Sequence, residues 1–203
     1  MIRLPIALLL MVYATAEGQK IYALKDLFTD SKVVWYGIDY THAEMVGNFT
    51  NKDLHDYFHG WNKLIIQESG KYNIAKALQR NQIIFGEAYI EQLNNQSTPT
   101  ERTIPSDSSL RKSEIANMIA EYKSNHSDGI GLVFIAERYY KAKNTASHYI
   151  VFFDIATKKI LISQRYTTAP DGIGIRNFWA ASIRTAIKLM ASNYKKWKKK
   201  YAI

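Results

Sequence analysis

Two histidines four residues apart, His55 and His59, enclose Asp56 in a segment whose apolar spacing is helical. Residues at that separation share a helical face, so both imidazoles could reach one metal ion. A protease-type zinc helix would need glutamate directly after the first histidine; here Asp56 stands there, with a shorter reach, and no third ligand lies at a recognisable offset. The metal reading therefore rests on His55 and His59 alone, beside the plainer expectation of a solvated helix face, and no cofactor is expected. Asp39, His42 and Glu44 follow the first strand-like segment, where a general acid or base could sit. Asp154 interrupts an apolar strand just before a turn, where a carboxylate commonly accepts backbone hydrogen bonds.

Gly172-Ile173-Gly174-Ile175-Arg176-Asn177 imitates a phosphate cradle, but Asn177 occupies the place of the third glycine and the phosphate-binding lysine motif is absent. A tight loop capped by Asn177 accounts for it, with Arg176 left as an anion contact. There is no cysteine, so thiol nucleophiles, paired-cysteine redox sites and disulfides are excluded, and no nucleophile-elbow or kinase pattern occurs.

The strongest surface signal is Tyr194-Lys195-Lys196-Trp197-Lys198-Lys199-Lys200-Tyr201. The chain carries a net charge of +9, and from Arg176 onward there are eight cations and no acid. Residues 17–175 balance 18 bases against 18 acids, so attraction for an acidic partner belongs to the C-terminus. Arg176, Arg184, Lys188, Lys195, Lys196, Lys198, Lys199 and Lys200, with Trp197 among them, form a candidate surface for a polyanion or an anionic membrane. Against this stands the ordinary use of cations at a helix C-terminus, which oppose its dipole and keep it soluble.

Among the elements that must hold these residues, the first 16 have an export layout. Arg3 precedes an apolar stretch from Ile6 to Tyr13, and Ala14-Thr15-Ala16 offers a cleavage site before Glu17. The expectation is a signal peptide over residues 1–16, a single domain over 17–203, and a periplasmic or secreted address. The apolar stretch is shorter than the roughly 20 residues that span a bilayer, so no transmembrane segment is expected once it is removed. Residues 33–40 read as a strand and Asn51 as the cap of a helix to Glu68 that carries Leu54, Phe58, Trp61 and Ile65 on one face. A short helix over 73–80, an extended segment over 83–93 and a surface loop over 94–109 follow. A helix over 110–123 comes next, then strands over 130–136, 148–155 and 160–167, and finally a long helix from Arg176. This order predicts an α+β two-layer sandwich, with helices packed on a mainly antiparallel sheet that ends in a three-strand meander.

Gly131–Glu137, Tyr149–Ile155 and Gly172–Ala180 together resemble a group of small exported proteins of Bacteroidota, the likeness covering residues 30–45 and 110–190. By element order, the last strands and helix are similar to envelope α/β domains such as the amino-terminal domain of the translocation protein TolB and the periplasmic part of the curli secretion lipoprotein. The resemblance implies an envelope setting and supplies no catalytic residue. The chain departs from it in lacking a lipidation cysteine and in placing Lys158-Lys159 at the hairpin turn. Taken together, the expectation is a non-enzymatic envelope or secreted binding or assembly module, whose partner is an envelope protein or an acidic surface, with nucleic acid the less favoured alternative. The alternatives are a polyanion- or membrane-surface-binding protein acting through the basic helix, and a metal-dependent hydrolase.

Overall fold

The computed structural model describes residues 19–29, 31–49, 54–106 and 108–202, so the predicted signal segment and the predicted cap Asn51 lie outside it. A 3-10 turn at Leu24–Phe28 leads into strands β1 (Val33–Asp39) and β2 (Glu44–Val46), then helices α1 (Leu54–Gln67) and α2 (Ile74–Ala77). Strand β3 (Ile84–Phe85), helix α3 (Ala88–Gln96), strand β4 (Thr100–Arg102) and helix α4 (Lys112–Glu121) follow. Strands β5 (Ile130–Tyr140), β6 (Thr145–Asp154) and β7 (Ile160–Thr168) and helix α5 (Ile175–Tyr201) complete the chain.

The seven strands form one sheet, and four of its six pairings are parallel: β1 with β3, β1 with β5, β2 with β4 and β2 with β5. The expectation of a mainly antiparallel sheet is therefore wrong, and the architecture is α/β. Antiparallel pairing is confined to β5–β6 and β6–β7. The physical reason lies in the connections. Tight hairpins join only the last three strands, whereas helices separate β1 from β3 and β5, and a parallel partner needs such a crossover.

Register shows how two short strands share one edge. Ile130 to Ile135 of β5 pair with β1, and Arg138 to Tyr140 of the same strand pair with β2, while β6 occupies the other edge of β5 throughout. β1 and β2 thus run in sequence along one side of β5.

Helices cover both faces of the sheet, which also corrects the two-layer expectation. On one face α1, α2 and α5 bury Phe58, Trp61, Ile74, Trp179 and Ile187 against Trp35, Leu132, Phe134 and Phe152. On the other, α3 and α4 bury Ile90, Ile115 and Ile119 against Val34, Tyr36, Val133 and Phe153. Strands covered on both sides have no polar face, and every residue of β1 is buried. Gly131 is required where the Phe153 ring crosses β5, because a Cβ there would lie 2.3 Å from that ring.

The segment expected to be extended over 83–93 is instead the two-residue β3 followed by α3. Helix α3 and α1 complete the edge of β1 that β3 is too short to cover. Asn62 of α1 accepts from the Ile38 amide at 2.7 Å and donates to its carbonyl at 3.0 Å. Asn94 of α3 donates to the same carbonyl at 2.8 Å and accepts from the Tyr40 amide at 2.7 Å. Two buried side chains so replace a strand, and Gly37, at φ 101°, supplies the bulge that aims those backbone groups at them.

Candidate functional site

Helix α5 is 27 residues long and is held down by one stripe of apolar side chains. Trp179, Ile183, Ile187, Met190 and Tyr194 are buried, and Trp197 and Tyr201 pack half-buried on the same core. Trp197 meets Phe152 edge-on, with ring centroids 6.4 Å apart. Because the aromatics point inward, Lys195, Lys196, Lys198, Lys199 and Lys200 are left exposed on the outer side of the last turns. The rings are therefore used for anchoring, and only the lysines are presented to a partner.

Two other elements dock against this end of the helix. The Tyr194 hydroxyl donates to the Leu27 carbonyl at 2.8 Å, and its ring lies 5.3 Å from Phe28, which fixes the 3-10 turn there. Burial comes first among the influences that raise the Tyr194 pKa, so this phenol stays a neutral donor. Lys198 reaches Gln79, just past α2, at 3.3 Å, and Arg80 donates to the carbonyls of Leu27 and Ser31. Lys25 and Lys76 are exposed on these two elements, so the three packed elements carry seven exposed lysines. The acid carried by these elements is Asp26, which accepts from the Ala23 amide at 2.7 Å.

The eight cations that are contiguous in sequence are divided in space. At about 1.5 Å per residue, Arg176 and Lys200 stand roughly 36 Å apart along the axis. Arg176 and Arg184 line a different cleft, of about 560 Å³, together with Glu68, Lys71 and Asp171, so acids dilute the cations there. Lys188 is exposed between the two ends. Helix α5 begins at Ile175 after Gly174, at φ 78°, so Asn177 sits inside the first turn and is not the cap.

The remaining candidates are dispersed or saturated. His59 Nδ1 lies 3.4 Å from Glu91 of α3; His55 is on α1, but its side chain is outside the described part. Among the described residues no group of three potential ligands converges. Asp39 is buried and accepts from the Tyr122 hydroxyl and from the amide and hydroxyl of Thr41 at 2.8 and 2.6 Å. Burial, and then the charge of Asp39, hold the Tyr122 phenol well above its usual pKa. Asp154 accepts from the Thr157 amide and hydroxyl in the β6–β7 turn and from the Tyr22 amide.

Glu44 is buried between two guanidiniums, with Arg102 at 2.7 Å and Arg138 also paired, and it accepts from the Ser106 amide. Glu137, which the sequence did not single out, is its counterpart: Arg165, the Ser147 hydroxyl and the Leu110 amide all donate to it. Burial works to raise the Glu137 pKa, but those donors outweigh it and hold the carboxyl below the usual range. Exposed His42 faces a small cleft of about 140 Å³, and both acids that line it among the described residues, Glu44 and Glu137, are already engaged. His148 was also missed. Fully buried, it contacts the Tyr139 hydroxyl at 2.8 Å through Nε2, and burial pushes its pKa down to about 4.

No protein-family model matches the chain, and no curated protein shows a significant sequence match. A solved structure that aligns with it is the lipoprotein GNA1162 from Neisseria meningitidis, at 10% identity over 80% of this chain and 96% of that one, with a TM-score of 0.34. That likeness is too low to carry an argument. No helix among the described residues is long and apolar enough to cross a membrane.

Proposed function

We propose that the chain is an exported, non-enzymatic binding module that docks on a polyanionic surface through the lysine-rich corner built by α5, α2 and the 3-10 turn. The observation that carries this reading is the exposure of Lys25, Lys76, Lys195, Lys196, Lys198, Lys199 and Lys200 on three packed elements whose one acid is Asp26, with Trp197 and Tyr201 packed on the core. Lysine ammoniums are hydrated point charges without a fixed fork, which suits a diffuse anionic surface better than one shaped ligand. Each cation near an anionic membrane contributes about 1 kcal/mol, so seven together suffice for reversible docking without insertion. Arg176, Arg184 and Lys188 extend the cationic side of α5 but stand away from this corner. Docking outside the cytosol is the part of this reading that the export layout of residues 1–16 in the sequence supports.

The test is cosedimentation with vesicles that contain an anionic phospholipid, against vesicles of a zwitterionic one. Lys195, Lys196, Lys198, Lys199 and Lys200 are replaced together by Gln. Truncation is a poorer probe, because it also removes Trp197 from its seat on Phe152. Wild-type protein is expected to pellet with the anionic vesicles only, and the substituted protein to remain in solution with an unchanged unfolding temperature. Equal binding to both vesicle types, or full binding by the substituted protein, contradicts the proposal.

A further inference from the structure

On the face of the sheet opposite α5, a cleft of about 540 Å³ opens between the start of α3 and the loop that follows α4. Glu87 and Tyr89 line it from the first side, Lys123 and His126 from the second, and Phe85 of β3, 41% exposed, lies beside them. The volume is that of a small-molecule site. Two glycines set its floor. Gly86 donates to the Trp35 carbonyl at 2.9 Å, which carries the β3–β1 pairing one residue further, and a Cβ there would lie 2.8 Å from Val34 and 3.7 Å from the His126 ring. A Cβ on Gly37 would lie 3.3 Å from the Glu87 Cβ, so the Glu87 stem rests on the bulge of β1.

The polar groups of this cleft are unmatched. Glu87 Oε2 is buried, yet it has no hydrogen-bond partner among the described residues, and the carboxylate enters no ion pair there. A buried anionic oxygen is costly without a donor, and the chain meets that cost at Glu44 and Glu137 with guanidiniums. Lys123 pairs with no acid among the described residues either; its ammonium lies 6.0 Å from the centre of the Tyr89 ring. That ring is a fixed wall, because its hydroxyl donates to the Glu121 carbonyl at 3.0 Å and Tyr122 meets it edge-on at 6.4 Å. The half-buried imidazole of His126 is likewise without a hydrogen-bond partner among the described residues. Glu87 and Lys123 thus bring opposite charges into one cleft without pairing with each other.

We propose that this cleft binds a small zwitterion, an α-amino acid with an apolar side chain. Glu87 holds the ligand's ammonium, Lys123 and a ring N–H of His126 hold its carboxylate, and its side chain lies against the Phe85 and Tyr89 rings. The charges select this class over its relatives. A ligand with an ammonium alone meets Lys123 as a like charge, and one with a carboxylate alone meets Glu87, so each gains one partner and one repulsion. The zwitterion matches both, and it supplies the donor that Glu87 Oε2 lacks. The site stands independently of docking at the lysine-rich corner, since α3 and α4 cover the other face of the sheet.

Titration calorimetry of the purified protein with L-phenylalanine, phenethylamine and hydrocinnamate tests it, because the three share a ring and differ in which charges they carry. L-phenylalanine is expected to bind with a dissociation constant of about 1 mM or tighter, and each single-charge analogue about tenfold or more weakly. Two variants, Glu87→Gln and Lys123→Gln, are each expected to weaken L-phenylalanine binding by about tenfold or more. The unfolding temperature should not fall in either, since the first removes a charge that has no partner to lose and the second alters an exposed side chain. Absence of L-phenylalanine binding at about 10 mM overturns the proposal, as does binding of either analogue as tight as that of L-phenylalanine. Unchanged affinity in either variant also overturns it, because the ligand then sits elsewhere.

Discussion

Glu44 and Glu137 are 7% and 4% exposed and are met by guanidiniums and backbone amides, whereas the five lysines ending α5 face water on a helix that carries no acid. The first arrangement saturates every oxygen and ties the 103–110 connection to strands β2, β5 and β7. The second leaves its charges available. Buried charge is costly unless matched, so the carboxylate end contributes to the fold; exposed lysines contribute little to stability and a great deal to the field around the molecule. Sites of similar charge density can therefore be separated into those that hold the chain together and those that can meet a partner.

Acid should strain the buried region first. His148 is held neutral by burial, at a pKa of about 4, while the unfolded chain takes up that proton near the ordinary value of 6.5. Stability is thus complete above pH 6.5 and falls as the pH drops towards 4, by about 3 kcal/mol in all. Glu137 acts in a lower window: its depressed pKa stabilises the fold above the ordinary carboxyl value, and that contribution is lost as the pH falls through the folded value. Urea unfolding at neutral pH and near pH 4 measures the first loss, and His148→Gln should flatten it. An unaltered pH profile in that variant would place the acid sensitivity elsewhere.

A direct break of the matched end comes next in size. Arg165→Met leaves Glu137 buried without its guanidinium and is expected to cost about 2–3 kcal/mol, less than for a fully buried pair because Arg165 is 35% exposed. Denaturant midpoints read this directly. Asn62→Ala takes the partner from the Ile38 amide and one of two from its carbonyl, which Asn94 still serves, and should cost about 1–2 kcal/mol. The smallest change in stability belongs to the corner: replacing its five terminal lysines by Gln should move the unfolding free energy by no more than about 0.5 kcal/mol. A loss of several kcal/mol there would erase the distinction between the two regions.

How much of this is readable from the sequence depends on how local each feature is. The last three strands and α5 announce themselves, because apolar runs, a four-residue turn and a three-and-four spacing are all contained within neighbouring residues. The parallel pairing of β1 with β5 joins segments almost a hundred residues apart, and neither strand's pattern states its direction. β1, buried along its whole length, was the local hint, since strands covered on both faces favour parallel sheets. Helix α3 was misread because it buries Asn94, a residue that ordinarily marks a loop, to serve the edge of β1. The same inversion hides Asn62. Glu137 ends an apolar run and is silent until Arg165 is brought beside it. Of the corner, the terminal lysines are plain in the sequence, but that the elements carrying Lys25 and Lys76 pack against α5 shows only in the contacts of Tyr194 and Lys198.

The central claim, docking by charge alone at this corner, is tested most directly by the salt dependence of binding to anionic vesicles. Binding that falls steeply as sodium chloride is raised, with a slope that shrinks markedly when the five terminal lysines become Gln, is the expected result. Binding that persists undiminished through the salt series, or a slope identical in the two proteins, would contradict the account.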